Sequence, residues 1–177
     1  MSANYKKQLF ENYQEGKLNE MNGKMGELIL ADYLSTLGWV RRTERQDKFS
    51  AVDMFFKSFE QPDKELRCQC KTALRFNKID SWSVPFNKTG LGIDRFLSAD
   101  LSYIISTPHT IPNWKKDLDG HILLVNTNKL GTEMIEDIGG SKSLRIPRSL
   151  EFLTPVMELN ESDKNMLKIL SSSEYTY

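Results

Sequence analysis

The chain has 177 residues, with 24 Lys and Arg against 24 Asp and Glu. That length suits one domain able to bury a real core without staples, and the balanced charge gives no bulk attraction to a polyanion. The longest apolar runs, "LILA" (28–31) and "ILLV" (122–125), are far short of a membrane span; two cysteines make no disulfide framework, and the polar start "MSANYKKQLFENYQEG" has no apolar signal core, so a reducing, cytoplasmic compartment is expected.

In chain order, residues 5–13 read as a short amphipathic helix. Residues 19–37 read as a stronger one, with Met21, Met25, Leu28, Leu34 and Leu37 near helical spacing and Gly38 as its stop. Three β-like pieces follow at 39–44, 51–59 and 65–72, with "QPDK" (61–64) as the turn between the last two. Residues 81–86 read as a further strand, with Pro85 marking an edge. A short helix is expected at 93–102, then buried strands at 103–107 and 121–128. Residues 139–149 are punctuated, and 160–173 carry a capping residue before a helical pattern at Met166, Leu167 and Leu170. The order predicts an α/β fold, a mixed central sheet flanked by helices. The expected organisation is a polar, helical N-terminal extension (1–18), a core (19–130) and a C-terminal extension (131–177) packed on it.

Chemistry concentrates around "AVDMFF" and "LRCQCKT". In a strand, side chains alternate between faces, so Leu66, Cys68 and Cys70 share one face and Arg67, Gln69 and Lys71 the other. Asp53 is a carboxylate among apolar residues, unusual unless paired or bound to a cation. The "QPDK" turn would bring Asp53 beside Gln69 and Lys71, and a helix packed on the sheet would let Glu27 reach the same place. Glu27, Asp53 and the backbone carbonyl of Cys70 suit Mg²⁺ (or Mn²⁺), a hard ion that takes oxygen ligands. Gln69 would supply an amide oxygen, and Lys71 would stabilise charge developing on a phosphate.

With "VD" at 52–53, "QCK" at 69–71 and "GE" at 26–27, residues 20–126 resemble the PD-(D/E)XK nuclease superfamily. Gln69 stands for the usual acid, as in Mrr-like nucleases, and Val52 for the usual Pro; Glu27 looks like the helix glutamate of Holliday-junction resolvases. The resemblance implies a restriction-endonuclease-like core and Mg²⁺-dependent hydrolysis of DNA phosphodiesters, with Glu27, Asp53, Gln69 and Lys71 as the site. Cutting both strands of a duplex fits a homodimer. Arg75, Lys78 and Lys88, in the basic stretch after the motif, are the expected DNA contacts.

Plainer readings stand beside these. Asp53 also fits a structural ion pair with Lys71, and Gln69 and Lys71 also fit a solvated sheet face. The chain as a whole also fits an inactive nucleic-acid-binding module on the same fold, or a protein-interaction domain that presents its acidic C-terminal portion.

Overall fold

One continuous helix, α1 (Ala3–Thr36), stands where the pattern suggests two. Gly16 and Gly23 lie inside it. An interior glycine costs only about 1 kcal/mol relative to alanine, too little to break a long helix whose C-terminal part is packed through Ile29, Leu30 and Leu34. The helix stops at Gly38, whose φ of +85° suits glycine and whose N–H donates to the Ser35 carbonyl at 3.1 Å. The structure, a computed structural model, describes residues 3–42, 54–73, 81–86, 91–107, 118–138 and 140–172.

Behind α1 lies a six-stranded mixed sheet. Its strands are β1 (Trp39–Arg41), β2 (Met54–Ser58), β3 (Glu65–Ala73), β5 (Leu101–Ser106), β6 (His121–Val125) and β9 (Leu153–Glu158), adjacent in that order. β1, β2 and β3 form an antiparallel meander, β3 and β5 are parallel, and β6 and β9 continue antiparallel. A second sheet has the order β4 (Ser81–Pro85), β8 (Ser141–Pro147), β7 (Ile135–Ile138). Helix α2 (Leu91–Ser98) bridges β4 to β5, and α3 (Glu161–Ser172) follows β9. The Asn160 side chain accepts from the Asp163 backbone N–H at 2.8 Å and donates to its carboxylate at 3.0 Å, a reciprocal cap at the start of α3.

Two hydrophobic layers sandwich the main sheet. On one face Ile29, Leu30 and Leu34 of α1 and Leu167 of α3 bury Met54, Phe56, Cys68, Tyr103, Ile105 and Ile122. On the other, Ile104, Leu123 and Val125 pack against Ile93 and Phe96 of α2 and against Val84, Leu144 and Ile146 of the second sheet. The fold is therefore a mixed α/β architecture. The segment expected as a C-terminal extension supplies β9, an edge strand of the main sheet, and two of the three strands of the second. Among the described residues, no helix is long and apolar enough to cross a membrane.

Candidate functional site

β3 carries the polar pair. Cys68 lies in the layer under α1, Cys70 packs against that layer, and the Thr72 hydroxyl reaches back to the Asn22 carbonyl of α1 at 3.4 Å. Gln69 and Lys71 therefore point to the opposite face. In the parallel pairing with β5 they stand opposite Ser102 and Ile104. Lys71 Nζ sits 4.8 Å from the centroid of the Phe86 ring, a cation–π contact. Phe86 is itself fixed edge-on against Phe96, with ring centroids 5.7 Å apart.

Both members of the pair are held away from water. Burial holds the Lys71 ammonium below the ordinary 10.5 of a lysine, because the charged form loses hydration. Gln69 is fully buried, and neither its amide oxygen nor its amide nitrogen has a hydrogen-bond partner among the described residues. An orphaned buried polar group costs about 1–3 kcal/mol, so an unbonded amide beside a half-buried lysine is an energetic defect that a bound partner would repair.

Glu27 is not brought to this pair. It lies on the α1 side of the sheet, where its carboxylate accepts from the Arg41 guanidinium at 2.8 Å. Burial raises the pKa of the Cys70 thiol most, and the Glu27 carboxylate raises it further. The helix does pack on the sheet, but on the cysteine face, so β3 itself separates Glu27 from Gln69 and Lys71. Burial likewise pushes the Cys68 thiol up to about 12. Asp53, Arg75, Lys78 and Lys88 lie outside the described residues. Among the described residues, no three His, Cys, Asp or Glu side chains are grouped so as to hold a metal ion.

Four further residues are missed by the reading of the sequence above. Asn22 is fully buried on α1 with both ends of its amide unbonded, and Thr107, just past the end of β5, is buried with an unbonded hydroxyl. Asn22 lies one helical turn before Gly26, the residue that touches the strand, and that i, i+4 spacing is the one available signal. Arg148, at the end of β8, is buried and bound to Asp119 at 2.8 Å, which ties the second sheet to the turn before β6. Arg41 shares a strand face with Trp39, which packs in the layer under α1, and strand alternation alone would have placed it there. Compared with family models, with curated proteins and with solved structures, the chain finds no match in any of the three.

Proposed function

We propose that the chain is a divalent-metal-dependent endonuclease that hydrolyses DNA phosphodiesters, working on a PD-(D/E)XK-like core in a reducing, cytoplasmic compartment. The observation that carries this reading is the Gln69–Lys71 pair. The two residues stand on one face of a central strand, the first with a buried, unbonded amide and the second with an ammonium that has no carboxylate partner among the described residues. Asp53, bonded directly to Met54 at the start of β2, is the carboxylate of the proposed site; Met54 pairs with Cys68, the residue before Gln69. Glu27 is left out of it, because Arg41 already neutralises its charge across the sheet.

Mg²⁺ or Mn²⁺ fits the Gln69 side of β3 by donor chemistry, since the amide oxygen is hard and unengaged. Gln69, Asp53 and the Cys70 carbonyl would hold the ion, which when bound would polarise a phosphate oxygen and acidify a water. Lys71 would meet a non-bridging phosphate oxygen. A phosphate beside it favours the charged form that burial disfavours, so bound substrate would raise the Lys71 pKa again. The Phe86 ring holds that ammonium in place from behind.

The test is conversion of supercoiled plasmid to nicked circles with Mn²⁺ or Mg²⁺, against EDTA. Nicking that needs the ion is the expected result, and its absence with both ions removes the enzymatic reading. One observation favours a second reading: of the residues expected at the site, Glu27 is locked by Arg41 and residue 69 is neutral, which leaves Asp53 as their one carboxylate. A nucleic-acid-binding module without catalysis would then show a salt-dependent DNA shift and no nicking.

A further inference from the structure

Among the described residues, α1 covers one face of β1, β2 and the first half of β3, and the other face is half-buried at Phe55, Lys57 and Arg67. Trp39, Met54, Phe56, Leu66 and Cys68 turn to α1. By alternation Val40, Phe55, Lys57, Glu65 and Arg67 turn the other way, and Arg42 and Phe59 continue that face just past the strand ends. Neither hydrophobic layer includes Phe55. Phe59 is 78% exposed and Val40 54% exposed.

The register arranges this face as a grid. Phe55 pairs with Arg67 on one side, and on the other its carbonyl accepts from the Arg42 N–H at 2.7 Å. An aromatic ring therefore stands between two arginine positions. In the next row Lys57 stands between Val40 and Glu65. Arg42 is bound to Glu65, and Arg67 donates to the Ser98 carbonyl at the end of α2. Three cations face one carboxylate. Arg67 and Lys71 lie in one row along β3, about 13 Å apart at the usual strand rise, with the buried Gln69 between them. The acidic Glu60 and Asp63 lie in the turn at the far end.

We infer that the face of β1–β3 turned away from α1 binds single-stranded nucleic acid next to the Lys71 site. The inference rests on the nuclease reading and names its substrate class: unpaired DNA, or the frayed end of a duplex. Single strands bind where aromatic rings offer stacking surfaces within a basic groove, since every base has a π-face. Phe59 and Phe55 supply rings, and Lys57 and Arg67 supply cations for phosphates. A duplex hides its base faces and gains nothing from Phe59.

The experiment is fluorescence anisotropy in EDTA, with a labelled 12-nucleotide DNA strand and the same sequence as a duplex. Wild-type protein is expected to bind the single strand at least tenfold tighter. Phe59→Ala should weaken single-strand binding about 5–10-fold without changing its salt dependence or the duplex affinity. Lys57→Ala should flatten the slope of log K against log salt by about 0.7. The two side chains are surface groups, and a melting temperature within a degree or so of wild type checks that each variant is folded. Equal binding by Phe59→Ala overturns the inference; if wild type still binds and nicks duplex, the nuclease reading survives it. No binding of either DNA removes both. A Phe59→Ala change in oligomeric state with no change in DNA binding overturns the inference in favour of a contact between copies of this chain.

Discussion

Gly26→Ala tests how α1 is seated on the sheet. A Cβ at residue 26 would lie 2.2 Å from Thr72 Oγ1, with Ile105 Cγ1 and Thr72 Cβ next at 3.4 and 3.5 Å. The clash is with one atom of one β-branched side chain, on the strand that carries Lys71. Alanine gains about 1 kcal/mol of helix propensity, while overpacking costs about 1–3 kcal/mol, so the net change is a loss of up to about 2 kcal/mol. At this chain length that is a fall in Tm of about 4–8 °C. Gly23→Ala is the control, because a Cβ there meets nothing within 4 Å; it should raise Tm by about 2–4 °C. Thr72→Ala combined with Gly26→Ala should recover most of the loss, a coupling of about 1 kcal/mol or more between touching residues. Calorimetric melts of wild type, Gly23→Ala, Gly26→Ala, Thr72→Ala and the double variant decide it. If Gly26→Ala is as stabilising as Gly23→Ala, the close approach of α1 to β3 is not what holds the helix in place.

Asn22→Leu should raise the melting temperature by several degrees, because it removes an amide whose burial costs about 1–3 kcal/mol unbonded; a fall would mean that Asn22 has a bound partner. Lys71→Met should stabilise at pH 7 and progressively less towards pH 10. Its folded pKa lies below 10.5, so the unfolded chain binds more protons between the folded value and 10.5 and wild-type stability rises with pH across that window; a gain independent of pH contradicts the burial of the ammonium. Ellman's reagent at pH 8 should leave both thiols of the native protein almost unreacted and label both in denaturant, since burial raises Cys68 to about 12 and raises Cys70 as well.

Much of this fold is legible in the residues, and the exceptions have physical causes. Apolar alternation in "LRCQC" marks the covered face of β3, and Pro85 marks β4 as an edge of its sheet. β9 escapes because Pro155 interrupts its pattern. The proline is tolerated because β9 is an edge strand and pairs with Leu123 beside a register shift. Helix α1 reads as two pieces because Gly16 weakens the pattern, at a cost of only about 1 kcal/mol within one continuous helix. The position of Glu27 was open to inference. A helix that buries Ile29 and Leu30 against the cysteine face of β3 cannot present the next-door Glu27 to the face of Gln69 and Lys71. Alternation from Trp39 would likewise have put Arg41 on the side where it holds Glu27. The orphaned amides of Asn22 and Gln69 depend on distances between elements that no local pattern encodes.

The most direct test of the proposed site is the Mn²⁺-supported nicking rate of Lys71→Ala and Glu27→Gln, measured side by side with wild type. With the chemistry at Gln69–Lys71 and Glu27 held by Arg41 across the sheet, Lys71→Ala should lose nicking and Glu27→Gln should keep most of it. Full nicking by Lys71→Ala, or loss of nicking in a folded Glu27→Gln, would contradict the account.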